Sequence, residues 1–468
     1  MMDYELLREL IRLALASGGE YADVFHEQRA PLSVVFEDGR IEKVHAGQSR
    51  GVGIRVIFGG KTAFAISNDM STASLREAAR GLARAVAAST GAGAHREHEL
   101  AFNLVRPAFD LPVEIAPGSV ALERKGALVT EAEAVARGFG PVVRQVSVVY
   151  RDWTQHVQIA TSEGALAEDT RVQSVGIVSV VAESGGVVQT AYEPVGGTVG
   201  FELFGREPLV DAARRAATRA LALLRAPRAP GGRMPVVISA EAGGTMIHEA
   251  IGHGLEADLA GRGLSKFAGK LGQAVASPLV SVVDDATLPC RRGSYRFDDE
   301  GTPAQRTVLV ERGVLTGYLY DRLSAITFEG GKPTGNGRRE SYRHRPIPRM
   351  SNTFIEPGTD DPAAILRDTP HGLFVRKMGG GQVNTVSGEF VFDVLEGYLI
   401  EGGELGPLVR GATLTGSGPE ILMRIDRVGT DLGFSIGTCG KDGQGAPVSD
   451  ALPTLRIPEM VVGGEVRG

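Results

Sequence analysis

Apolar residues in the opening stretch MMDYELLRELIRLALASGG recur at helical spacing. Leu6, Leu7, Leu10, Ile11 and Ala14 share one face and Gly18 ends the run, which predicts an amphipathic helix. The pattern then switches to alternation. ADVFHEQ, LSVVFEDG, GVGIRVIFG and KTAFAIS read as strands, and an Ala-rich helix follows over 71–88. A second pass repeats the order. It has a helix over 119–136 with Ser119 as N-cap, the alternating segments RQVSVVYRD, QHVQIATSEG, RVQSVGIVSVVAESG and VVQTAYE, and a closing helix from Asp211. Helix, antiparallel strands, helix, twice over, predicts two packed α/β layers of related architecture.

The Pro/Gly-rich joint RAPRAPGGRMP, residues 225–235, breaks this periodicity and marks the best boundary in the chain. Beyond it the texture changes to short β-branched segments separated by Gly, Pro and Asp: PLVSVVDD, QRTVLVERG, VLTGYLYD, GLFVRKMGGG, EFVFDVLEGYLIEGG and EILMRIDRVG. The expected fold class is therefore α+β. Residues 1–228 are expected to form an N-terminal α/β domain with antiparallel sheets and flanking helices, and 229–468 a β-rich, barrel-like domain. The helix HEAIGH lies near the start of that second domain, shortly after the strand PVVIS.

Composition narrows the function classes. A formal charge of −6 over 468 residues gives no bulk attraction to nucleic acid or to an acidic membrane surface. Asp, Glu and Arg interrupt the opening stretch where a signal peptide needs an apolar run, and no other run is long and apolar enough to span a bilayer. The expectation is a cytoplasmic protein with neither nucleic acid nor membrane as partner. Only Cys290 and Cys439 occur, so no disulfide framework is indicated.

HEAIGHGLEAD, residues 248–258, carries the candidate chemistry. His248 and His253 are five apart with Glu249 between them. Residues four apart on an α-helix differ by about 40° in direction, but residues five apart differ by about 140°, so the two imidazoles cannot share a metal on a regular helix. A one-residue π-bulge, or unwinding at the second histidine, would bring them together. Gly252 and Gly254 flank His253 and tolerate the dihedrals such a departure needs. Glu249 would then be a base beside the metal, with Glu256 and Asp258 as further ligands or as solvated charges.

A catalytic zinc usually has three protein ligands and one open position. Cys439, in the glycine-rich FSIGTCGKDGQGAPV with Lys441 two residues on, reads as an exposed loop thiol favoured as thiolate by a nearby cation. Cys290, in DDATLPCRRGSYR, has arginines beside it too. Spacing and composition leave the third ligand open between the two thiols.

Several motifs together resemble the TldD/PmbA family, also called the modulator of DNA gyrase family. They are HEAIGHGLEAD, the block GNGRRESYRHRPIPRMSNTFIEPG over 335–358, the loop GTCGKDGQ over 437–444, and the early pair ADVFHEQ and RGVGIRVIFGGKTAFA. The similarity runs nearly end to end and in order. It implies a TldD-type zinc-dependent protease with an H-E-x-x-x-H motif, in which His248, His253 and Cys439 are metal ligands and Glu249 is the catalytic carboxylate. It implies one Zn2+ per chain, a catalytic domain that is the β-rich one, and unfolded or extended polypeptide as substrate. PmbA-type (TldE) subunits lack the metal motif, so the resemblance implies a catalytic subunit paired with such a partner, or a homodimer.

For the oxyanion of peptide hydrolysis, Tyr342, His344, Arg338 and Arg339 in the RRESYRH block are candidate donors. The Gly-rich segment over 373–390 could take an extended peptide by strand addition. The competing class is a zinc-stabilised, non-catalytic peptide-binding or assembly subunit. A structural zinc site has no need of Glu249, which weighs against it. Binding of DNA or gyrase finds no basic patch or nucleic-acid motif and ranks last.

Overall fold

The computed structural model describes residues 1–90, 100–328 and 330–465. The opening helix runs over Tyr4–Ala14, with Asp3 accepting from the Glu5 and Leu6 amides and with Leu7, Leu10, Ile11 and Ala14 buried. Gly18 has φ 101° just beyond it. ADVFHEQ and LSVVFEDG are one continuous strand, Tyr21–Glu37, not two. The second-pass helix is Leu122–Arg137; its N-cap is Ala121, and the expected cap Ser119 sits in a short 3-10 turn before it.

The two passes do not stack as separate layers. They join edge to edge, because Tyr21–Glu37 pairs antiparallel with Val143–Thr161 from Asp23 opposite Thr161 to Glu37 opposite Ser147. The result is one eight-stranded sheet. Side chains alternate across a strand, so the even residues Ala22, Val24, Val34 and Phe36 face one side. Ala22 and Val24 bury with Leu7, Leu10, Leu75 and Leu82, the helix pair of the first pass. Val34 and Phe36 bury with Val129, Ala132, Ala213 and Ala216, the pair of the second. Phe25 points to the other side, where Val157, Ile159 and Ala167 meet Phe297 and Tyr342 from the C-terminal half.

That half contains a closed five-stranded barrel. Gly232–Ile238, Leu455–Gly463, Thr413–Ser417, Glu389–Glu401 and His371–Val383 pair in this order, and the last pairs back to the first. Met246, Ile247, Ala250, Ile251 and Leu255 of the HEAIGH segment bury among barrel residues Val236, Ile238, Phe390 and Leu414. A six-stranded sheet lies beside it and ends in the hairpin Gln444–Leu452 and Gly433–Lys441. The fold is α+β with a barrel, as the sequence predicts. EILMRIDRVG differs: Gly418–Arg424 is a helix with Pro419 in its first turn. Ile421, Leu422 and Ile425, spaced for one helical face, reach the barrel core.

The block over 335–358 ties the two halves. The Tyr342 amide donates to Glu27 Oε2 at 2.8 Å, and its ring lies against Gly51, where a Cβ would overlap the ring carbons. The glycine of RGVG is thus required by close approach, not by its dihedrals. Tyr342→Ala is expected to destabilise the chain by about 3 kcal/mol, as for other buried aromatic truncations. The check is a lower denaturant midpoint; an unchanged midpoint would show that the ring does not tie the halves.

Candidate metal centre

The helix containing HEAIGH is not regular. His248–Gly252 forms a π turn and His253–Leu255 a 3-10 turn. The extra residue of the π turn takes up the angular excess between positions five apart. The two imidazoles accordingly face each other, ring centroids 5.0 Å apart and planes at 89°. The glycines have a different role from the one their flexibility predicts. Gly252 keeps helical dihedrals, φ −54° and ψ −56°, but a Cβ there would collide with Met350 Sδ; at Gly254 it would meet Phe267 at 2.6 Å. They let the distorted turn sink against the core.

Cys439 arrives from the strand Gly433–Lys441. It is a buried strand residue, not an exposed loop thiol. One ligand atom from each of His248, His253 and Cys439 lies within 4.8 Å of the others, and Cys439 Sγ is 3.4 Å from His253 Nε2. Cys290 is half-buried elsewhere, with Arg206 Nη1 at 3.8 Å from its sulfur. The structure therefore brings Cys439, and not Cys290, to the histidine pair. Two imidazoles and a thiol facing one point are a soft donor set suited to zinc.

Charge around this point is ordered by burial and contact. Burial opposes ionisation of the Cys439 thiol, yet hydrogen bonds and charge from His248 and His253 pull it down to about 5. Lys441, the cation the sequence offers for this role, is engaged elsewhere: its Nζ is 3.0 Å from Glu256 and 2.7 Å from Asp258. Glu256 is fully buried and accepts from His253 Nδ1 at 2.9 Å, which leaves Nε2 for the cluster. Burial works against the Glu256 carboxylate, and Lys441 and His253 overcome it, bringing it to about 2. Asp450 Oδ2 is 3.9 Å from His248 Nδ1, which is buried and unpartnered.

Glu249, between the histidines, is half-buried, and burial raises its pKa above the carboxylate norm while the histidines lower it. It lines a cleft of about 780 Å3 together with His248, His253, Cys439 and Gly379–Gly381. None of the expected oxyanion donors does. Arg338 bonds the Met350 and Pro447 carbonyls, Arg339 the Asp299 carbonyl, Tyr342 packs on the N-terminal sheet, and His344 Nδ1 lies 3.1 Å from Ser341 Oγ. Sequence reading missed Arg349, fully buried, whose guanidinium donates to the Cys439 and Gln444 carbonyls and so braces the thiol strand. Its signal was its place in the block over 335–358.

Family models described as the PmbA/TldA metallopeptidase domain 1, central domain and C-terminal domain match residues 22–89, 115–224 and 231–464 in turn. The chain belongs to the PmbA/TldD metallopeptidase family. A Metalloprotease TldD homolog of Haemophilus influenzae is 38% identical, over 95% of this chain and 93% of that one. A metalloprotease of Methanothermobacter thermautotrophicus is 36% identical over 95% and 96%. Among solved structures, a modulator of DNA gyrase from Thermotoga maritima aligns with TM-score 0.79 at 22% identity, covering 98% of this chain and 99% of that one. TldE from Thermococcus kodakarensis aligns with TM-score 0.75 at 17% identity, covering 98% and 100%. At those identities the structural likeness speaks for the PmbA/TldD fold alone. The relatives are named metalloproteases, and the chain is a TldD-type member. No described helix is long and apolar enough to cross a membrane.

Cys439→Ser is expected to weaken zinc binding by at least tenfold and Cys290→Ser to leave it unchanged, as read by competition with a chromophoric chelator. Glu256→Gln should weaken it about 10- to 100-fold by loosening His253. Equal effects of the two serine variants would show that the thiol assignment is wrong.

Proposed function

We propose that the chain is a zinc-dependent peptidase acting on unfolded or extended polypeptides, with His248, His253 and Cys439 as metal ligands and Glu249 as catalytic base. The single observation carrying this reading is the π turn, which costs helical regularity to face two histidines towards a buried thiol with a carboxylate beside them. Bound there, one zinc ion per chain would supply the Lewis acid for the peptide carbonyl and for a water nucleophile.

The chain's own groups carry the proton. Glu249 has a carboxyl raised by burial, so it can accept a proton from water and return it to the leaving amine near neutral pH. Glu256 fixes the tautomer of His253, and the His248–Cys439 and His253–Cys439 contacts keep the sulfur ready as a thiolate donor. A reducing, cytoplasmic compartment suits that thiolate, and both cysteines are free.

Substrate class follows from the cleft walls. The strand His371–Val383 pairs with Gly232–Ile238 only over Leu373–Val375, so beyond it one edge is open around Gly379–Gly381. Gly433–Lys441 is the terminal strand of its sheet and has an open edge as well. Two open edges flanking the candidate ligands suit an extended backbone read by main-chain hydrogen bonds rather than by side chains. As its partner we infer a second chain of this fold, either a TldE-type subunit or another copy.

Glu249→Ala is expected to retain about one zinc per chain and native unfolding while losing cleavage of an unfolded peptide by at least 10^3-fold, in line with loss of a general base combined with its positioning. Metal analysis and a quenched-fluorescence peptide assay read the two separately, and chelation should abolish cleavage in the unmutated chain. A chain that binds zinc and peptide but never cleaves would be the non-catalytic binding subunit instead.

A further inference from the structure

Beside the cleft lies a second cavity of about 470 Å3, and Tyr192, Ile436, Gly437 and Thr438 line both. The N-terminal sheet forms one wall through Arg29, Arg151 and Arg171, and the C-terminal half contributes Arg292, Arg338 and Arg339. Against six arginines stand two carboxylates, Asp299 and Glu340. Both are occupied: Asp299 pairs with Arg171 at 2.6 Å and accepts from the Arg339 amide at 2.7 Å, and Glu340 accepts from the Gly445 amide at 2.6 Å.

Four of the arginines, Arg29, Arg151, Arg292 and Arg338, form no ion pair among the described residues. Arg292 donates only to neutral groups: Nε to the Gly437 carbonyl at 3.1 Å, Nη1 to Gln173 at 2.9 Å and Nη2 to Thr438 Oγ1 at 3.2 Å. Burial chiefly, and then Arg151, Arg338 and Arg29, bring its pKa down to about 10. Arg29 lies 4.7 Å over the Trp153 ring, and its buried Nε has no hydrogen-bond partner. Unpaired guanidinium groups converging on a cavity are the usual recognition device for a carboxylate.

The position joins the cavity to the cleft. Arg292 caps the strand that carries Cys439 by taking the Gly437 carbonyl, two residues before the thiol. Gly437 lines both the cavity and the cleft, and its carbonyl is engaged by Arg292 at the junction of the two. A carboxylate of a peptide in the cleft that reaches Gly437 would meet the Arg292 guanidinium. The distance is short, because two strand residues span only about 7 Å.

We propose that this cavity is a substrate subsite for a carboxylate, either the C-terminal carboxylate or an acidic side chain of the peptide lying in the adjoining cleft, with Arg292 as its anchor and Arg151 on its rim. The proposal rests on the peptidase reading for the identity of the ligand, but its binding can be read without cleavage.

The test uses four forms of one fluorescent unfolded peptide, with free or amidated C-terminus and with Glu or Gln as the penultimate residue, and the zinc-loaded protein with any co-purifying partner. Binding is measured by anisotropy on the Glu249→Gln variant, and KM and kcat on the unmutated chain. Removing the recognised carboxylate should weaken binding at least tenfold and raise KM similarly with kcat changed less than twofold. A free-versus-amide difference identifies the terminus; a Glu-versus-Gln difference identifies a side chain. Arg292→Gln and the exposed Arg151→Gln should each reduce the preference towards unity, and the second keeps the test intact if the first does not fold. Equal binding of all four peptides, or a preference untouched by either arginine substitution, would overturn the subsite. Failure of the unmutated chain to cleave any of them would instead remove the peptidase reading and leave the binding arm to decide on the cavity.

Discussion

One extra residue in a helical turn governs this structure. Histidines five apart point about 140° from each other on a regular α-helix, and the π turn over His248–Gly252 removes that divergence. The distortion is held by its surroundings. Met246, Ile247, Ile251 and Leu255 lie in the barrel core, and Gly252 fits against Met350 with no space for a side chain. The barrel therefore does more than carry the helix: its packing selects the irregular turn over the regular one.

The thiol that faces the histidine pair comes from another element, so the same point must be reached by an independent path. Arg349 braces the strand through the Cys439 carbonyl, and Lys441 bridges from that strand to Glu256 and Asp258 beside the histidines. Buried ion pairs of this kind add little net stability, because desolvation offsets attraction. Their value is registry. Lys441 and Glu256 match the thiol strand to the histidine turn, and Glu256 in turn orients His253.

The elements with strong local periodicity were legible in the sequence: the opening helix, the alternating strands, the class of the second half and the anomaly in HEAIGH. What escaped depended on tertiary contact. Continuity of Tyr21–Glu37 through Pro31, and its pairing with Val143–Thr161, come from a partner strand more than a hundred residues away. EILMRIDRVG reads as a strand by its apolar run, and Pro419 was the local sign of a helix. The glycines around His253 announced a special backbone, but their cause is the proximity of Met350 and Phe267, which no local pattern contains. Likewise the Cys439 stretch reads as a loop from its glycines, although pairing with Gln444–Leu452 makes it a strand.

The N-terminal sheet then has a reason to be joined so firmly to the barrel half. Its face carrying Phe25 packs on Phe297 and Tyr342, and Asp23 and Glu27 reach across to Arg339 and the Tyr342 amide. Arg29, farther along the same strand, lines the cationic cavity together with Arg292. A loose hinge between the halves would let these arginines separate and take up water or solvent anions. The junction brings the arginines of the N-terminal sheet to a cavity that the Cys439 strand also lines through Ile436, Gly437 and Thr438. The two halves thus line one cavity together, and neither forms it alone.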